Sequence, residues 1–162
     1  MNAKKLSFLL LILVAVACTN RSTSSEQDEM RHWNNVLQQI NALLLENKAR
    51  QTLDLAKQTL PEILESAEKN GTTDTLIYYA RKIFNACGNN YINTKQYKDG
   101  IDYMDSIGNH PLIREHCPHE LLSFKAGLNQ LYGNNPEAVR LAEDYLLSLI
   151  HISEPTRQEA IS

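Results

Sequence analysis

Four possible metal ligands fall within ten residues: His110, His116, Cys117 and His119. Imidazole and thiolate donors at short spacing are what Zn²⁺ or Cu²⁺ would take. The spacing argues against a site. Pro118 interrupts the group, and no second CxxC or HxxxH pair completes four ligands. Loop histidines are the better reading, with no metal and no cofactor expected. Cys87 and Cys117 could pair in an oxidising compartment. Cys87 falls on an apolar helical face, however, where a thiol packs as a small apolar group. The Cα separation that decides pairing is not written in the sequence, and two free thiols are favoured.

Asp99, Asp102 and Asp105 recur every third residue and could suggest an acidic ion site. They lie opposite Ile101, Met104 and Ile107 on a helical wheel, which makes them a solvated face. Tyr78, Tyr79, Tyr91, Tyr97 and Tyr103 are many aromatics for a short stretch. Some could anchor a ligand; at helical spacing most belong to the core. The sequence has no nucleophile elbow, no phosphate-cradling glycine loop and no HExxH. With 16 Lys and Arg against 19 Asp and Glu the net charge is −3. That argues against a nucleic-acid binder, which needs a clustered basic face. No catalytic residue is expected.

The elements that would carry these residues all read as helices. Trp33, Val36, Leu37, Ile40, Leu43 and Leu44 make one apolar stripe over 28–46. Leu53, Ala56, Leu60, Ile63, Leu64 and Ala67 make a second over 49–69, which Pro61 should kink or interrupt. Asn70-Gly71 is a stop and Thr73-Asp74 a start. The third stripe is Leu76, Ala80, Ile83, Cys87 and Tyr91; the fourth is Tyr97, Ile101, Met104 and Ile107, closed by Gly108. Residues 111–117 read as a linker. Pro118 opens a fifth helix with Leu121, Leu122, Leu128 and Leu131 inside, and Asn135-Pro136 opens a sixth carrying Val139, Ala142, Tyr145 and Leu146. Six helices in three hairpins predict an all-α array over 28–146.

Within that array, Cys87-Gly88 and Tyr91, then Tyr97, Gly100 and Met104, resemble a tetratricopeptide repeat. Cys87-Gly88 stands where that motif places Leu-Gly, Tyr91 follows as the motif's Tyr, and Gly100 replaces its small Ala. Ala138 takes the same small position in the next unit, 38 residues on, against roughly 34 for the repeat type. The unit around 49–64 lacks the Gly and Tyr. The resemblance implies antiparallel helical hairpins stacked as a tetratricopeptide-like array, with small residues where helices cross closely.

Lys4-Lys5, the apolar run Leu6 to Ala17, and Ala15-Val16-Ala17-Cys18 resemble a bacterial lipoprotein leader. That implies cleavage of 1–17, lipidation of Cys18 and a tether over 18–27, placing the module on a membrane facing the periplasm. At the other end, the stretch LSLIHISEPTR over 147–157 resembles a translated transposase adapter from sequencing libraries. It implies that 147–162 is a non-native tail and that the natural protein continues past Leu146. A break there would leave Val139, Ala142 and Leu146 as an unfinished apolar face.

Leader, tether and hairpins, with TLIYYAR at 75–81, together resemble the N-terminal regions of Bacteroides-type lipoproteins. The expectation is a membrane-anchored binding or scaffold module for a protein or peptide. One alternative is the extracytoplasmic input domain of a two-component sensor kinase or transcriptional regulator. A second is a small metal-binding or hydrolytic lipoprotein, which would require His110, His116, Cys117 and His119 to converge.

Overall fold

The computed structural model describes residues 27–153. The leader, Cys18, the tether up to residue 26 and the tail beyond 153 lie outside the described residues. The chain divides into two compact units, 1–36 and 37–162. Of the first, 27–36 are described and form the opening turns of helix α1, which runs over 27–45. After it come α2 (Ala49–Asn70), α3 (Asp74–Asn93), α4 (Tyr97–Gly108), α5 (Pro111–His116), α6 (Pro118–Tyr132) and α7 (Asn135–Ser153). The fold is all-α; no strand occurs among the described residues.

The stripes decide what is buried. In α2, Leu53, Ala56, Leu60, Ile63, Leu64 and Ala67 are all buried, and in α3 so are Leu76, Ala80, Ile83, Phe84, Cys87 and Tyr91. Each fully buried Leu or Ile contributes about 1.5–3 kcal/mol, so these two stripes supply most of the stabilising burial of α2 and α3. Pro61 does not interrupt α2, which continues unbroken to Asn70. Its ring lies on the exposed side, where water can reach the carbonyl that its missing N–H leaves unpaired. The buried stripe on either side holds the helix together. Gly71, at φ 86°, ends it, and the Thr73 hydroxyl starts α3 by accepting from the Leu76 N–H at 3.2 Å.

Residues 111–116 are a short helix where the sequence suggested a linker. Pro111 sits at its first turn, the His110 ring accepts from the Leu112 N–H at 3.2 Å, and Leu112 and Ile113 are buried. A segment too brief to show periodicity is ordered by its cap and by two core side chains. Leu44 and Leu131, expected inside, are 42 % and 48 % exposed. Both lie in the last turn of their helices, beside a chain reversal, where neighbouring helices no longer cover them.

Three of those reversals are the same. Asn47 (φ 55°), Lys95 (φ 59°) and Gly133 (φ 95°) each take a left-handed conformation just past a helix end. Each donates its N–H back three residues, to the carbonyls of Leu44, Ile92 and Gln130. The next residue in each case reaches back five, Lys48 to Leu43 at 2.9 Å, Gln96 to Tyr91 at 3.0 Å and Asn134 to Asn129 at 2.8 Å. This paired closure satisfies the last carbonyls of one helix and delivers the chain directly into the next. The first bonds of the following helices then fall on Thr52, Gly100 and Ala138, three small residues that are all buried.

The reversals join α1 to α2, α3 to α4 and α6 to α7. Between pairs, α2 packs on α3 and α4 on α6, while α5 touches α3, α4 and α6. The core of the second unit therefore runs through α2, α3, α4 and α6, with α7 laid on α6.

Candidate functional site

The four possible ligands do not converge. His110 caps α5 through Nδ1 and meets Glu68 Oε1 through Nε2 at 3.1 Å. Cys117 is fully buried, and burial pushes its thiol up against the opposing pull of Arg81. The backbone carbonyl of His116 accepts from Arg81, whose Nε also pairs with Glu120 at 3.1 Å. His119 stands edge-on to Tyr145 and within 3.1 Å of the Ser148 hydroxyl. His110 and His119 each join one helix to another, and His116 does so through its backbone carbonyl. Among the described residues, no group of three or more His, Cys, Asp or Glu is placed to hold a metal ion.

The residues singled out on α3 and α4 do come together. A Cβ on Gly88 would stand 2.5 Å from the Phe124 ring, and one on Gly100 would stand 3.0 Å from both Leu128 and Tyr91. These two glycines mark where α3 and α4 meet α6. Gly108 does the same against Leu121 at 2.9 Å. Phe124 is fixed edge-to-face on Phe84, ring centroids 5.7 Å apart. Met104 is fully buried, Ala138 is buried under the α6–α7 contact, and Tyr97 is half-buried at the start of α4.

Beside this crossing lies a polar cluster that the sequence only partly foreshadows. Tyr91 and Tyr103 face each other with ring centroids 5.4 Å apart. The exposed ammonium of Lys57, on α2, stands 5.5 Å over Tyr91 and 5.7 Å over Tyr103. Its hydrogen bond with Tyr91 raises the lysine pKa and keeps it cationic. The Cys87 thiol donates to the Tyr103 hydroxyl at 3.8 Å. Burial pushes that thiol up to about 12, and burial likewise raises Tyr103. At neutral pH both stay protonated, so neither supplies a nucleophile. What the cluster offers a ligand is a fixed cation on an aromatic shelf. Cys87 and Cys117 are free thiols.

The acidic triplet is exposed and spread along α4. Asp102 pairs with Lys98 at 2.8 Å on its own helix, and Asp105 reaches Lys125 of α6 at 2.6 Å. Of the tyrosines outside the cluster, Tyr78 is 51 % exposed with Lys82 5.6 Å over its ring, and Tyr79 leans on it edge-on.

Lys57, Phe124, Asn90 and Asn129 carry no motif that marks them in the sequence. Asn90 is fully buried, donating to the Ala86 carbonyl at 2.8 Å, while its own Oδ1 meets no partner. Asn129 donates to the Lys125 carbonyl at 2.8 Å and accepts from the Asn134 side chain at 3.0 Å, tying α6 to the reversal at its end. The only signal in the sequence was a shared Gly-x-Asn at 88–90 and 127–129.

Comparison with known proteins gives no match to a family model, a curated sequence or a solved structure.

Proposed function

We propose that this chain is a membrane-anchored helical-repeat module that recognises a peptide or protein segment, a binding rather than a catalytic unit. The observation that carries the reading is the threefold recurrence of one reversal, at Asn47, Lys95 and Gly133. Each sets a small buried residue four positions past the next helix's cap. Units that recur in this way stack through their neighbours and expose an elongated surface, which is what such arrays use to bind. The tetratricopeptide likeness of residues 87–104 points the same way. On the exposed side, Lys57 suits a carboxylate on an extended peptide: the cation supplies charge and the half-buried Tyr103 beside it supplies rigid contact area.

The anchor belongs to the leader and Cys18. Among the described residues, no helix is long and apolar enough to cross a membrane. In this reading acyl chains at Cys18 hold the module on the membrane, and Cys18→Ala should move the product from the membrane to the soluble fraction.

The binding reading is tested by panning a displayed peptide library on the full chain. Enrichment of a consensus containing an acidic residue, with binding at least tenfold weaker in Lys57→Glu, is the expected result. Failure of any sequence to enrich would remove the reading.

A further inference from the structure

The segment between α4 and α6 is held at both ends by side chains that reach other elements. At its start, the His110 ring accepts from the Leu112 N–H through Nδ1 at 3.2 Å, and its Nε2 stands 3.1 Å from Glu68 Oε1 of α2. A neutral imidazole has one donor and one acceptor nitrogen. With a backbone N–H donating to Nδ1 and a carboxylate at Nε2, the proton belongs on Nε2. The His110 side chain is 15 % exposed, against 64 % for Glu68. At the other end, Arg81 of α3 donates to the His116 carbonyl and pairs with Glu120 of α6 at 3.1 Å. Between these two pins Leu112 and Ile113 are buried, and α5 rests on α3, α4 and α6.

We propose that α5 is a proton-sensitive strap: protonation of His110 releases its N-terminal turn, while Arg81 goes on holding its C-terminal end. The two pins differ in chemistry. Arginine keeps its charge throughout, whereas histidine changes charge between about pH 5 and 8. A proton added to His110 goes to Nδ1, the nitrogen that caps the helix. Both ring nitrogens are then donors, and Nδ1–H confronts the Leu112 N–H it had accepted. The cap is lost, and a cation stands where the first helical N–H groups already carry positive charge. What the cation gains is a charged contact with Glu68. That carboxylate is mostly in water, where an ion pair is worth less than a cap. A helix of six residues makes few bonds of its own, so it depends on the cap. The other charged groups around α5 are placed elsewhere. Glu65 of α2 pairs with Lys69, Asp102 of α4 with Lys98, Asp105 of α4 with Lys125 of α6, and Arg114 with Glu115 on α5 itself. Lys82 of α3 lies over Tyr78, His119 of α6 meets Ser148, and Asp74 is exposed in the first turn of α3. The charge these contacts leave at the His110 ring is that of Glu68.

The proposal is independent of the binding-module reading. Its test is amide hydrogen exchange of the full chain at about pH 5 and about pH 8, with rates corrected for the intrinsic effect of pH on exchange. On acidification the amides of residues 112–116 should exchange roughly fivefold faster, the factor that the loss of one helix cap implies, while those of α3 and α6 stay protected. His110→Asn supplies a capping side chain that does not titrate, and should keep 112–116 protected at both pH values; His110→Ser is a second such variant. His110→Ala should leave them unprotected at both. His116→Gln and His119→Gln should leave the acid response intact. Equal protection of the parent at the two pH values overturns the proposal. So does an acid response that survives in both capping variants, since a carboxylate would then be the titrating group. An acid response abolished by His116→Gln or His119→Gln assigns it to the wrong ring and overturns it as well. His110→Ala as protected as the parent at the higher pH would mean that the ring does not hold α5. A loss of protection spread evenly over the chain also overturns the proposal, because acid would then be unfolding the protein rather than releasing one strap.

Discussion

At the scale of single residues, close approach and burial set the properties that can be measured. Gly88 has a phenyl ring where its Cβ would be, and that ring is held edge-on by Phe84. Gly88→Ala should destabilise the fold by about 1–3 kcal/mol, more than Gly100→Ala, whose nearest neighbours stand 3.0 Å away. Phe124→Leu should recover part of the Gly88→Ala loss, and denaturant melts of the double-mutant cycle read this directly. A Gly88→Ala variant as stable as the parent would remove the crossing from the account. Cys87 makes a second prediction. Its folded-state pKa, about 12, lies above the roughly 8.5 of a thiol in an unfolded chain. Its contribution to stability is therefore complete below about pH 8.5. It is lost between there and pH 12, as the unfolded thiol ionises first. The slope from this group is roughly 1.4 kcal/mol per pH unit, so Cys87→Ala should flatten the alkaline limb of the stability profile. In a Cys18→Ala background, both remaining thiols should resist alkylation at pH 8 until denaturant is added.

At the scale of elements, the reversals and Pro61 hold the strain. Lys95 sits at φ 59°, a conformation that costs an L-residue roughly 1–2 kcal/mol and glycine nothing comparable. Glycine's greater freedom in the unfolded chain offsets part of that, so Lys95→Gly should stabilise by up to about 1 kcal/mol. Gly133 already occupies the equivalent position, and Gly133→Lys should lose a similar amount; thermal melts that order the two variants the other way would contradict the shared turn. Pro61 forfeits a backbone bond inside a 22-residue helix. Pro61→Ala should stabilise by about 1–2 kcal/mol, less than the roughly 3 kcal/mol of a helix-interior proline because the unpaired carbonyl can reach water. Increased protection of the backbone amides around Lys57 in hydrogen exchange would accompany it. The second helices of the pairs also differ in length: α2 has 22 residues and α4 has 12. The repeat spacing is therefore uneven, which hides the first pair from any search at one fixed period.

At the scale of the whole molecule, the question is how much of α7 the fold needs. Its buried residues, Ala138 and Leu141, precede Leu146. Residues 147–150 supply the exposed Leu147, Leu149 and Ile150 and the Ser148 contact with His119. Ending the chain after Leu146 should therefore cost about 1 kcal/mol, the worth of one side-chain hydrogen bond. Unfolding should stay cooperative, with the helical circular dichroism reduced only by the missing turns. Loss of cooperativity in that shortened chain would mean that residues 147–153 are part of the core.

Helix positions were legible because the apolar stripes of α2 and α3 recur every three to four residues, and that periodicity is a property of the local chain. Caps were legible for the same reason: Thr73, Gly71 and Pro118 act within one turn of themselves. The small positions Gly100 and Ala138 could be named from the resemblance to a tetratricopeptide repeat, and Tyr91 and Cys87 could be placed on a buried face. The sequence could not tell that residues 111–116 coil, because six residues are too few for a period and the buried Leu112 and Ile113 order them only through distant neighbours. Nor could it place Lys57 over Tyr91 and Tyr103, three residues on three helices, or Phe124 against Gly88 across 36 positions. It could not show that one reversal is used three times, since Asn, Lys and Gly share no chemistry and only the backbone dihedral makes them equivalent. Periodicity is local and was available from the chain; which faces meet depends on long-range packing and was decided only by the tertiary structure.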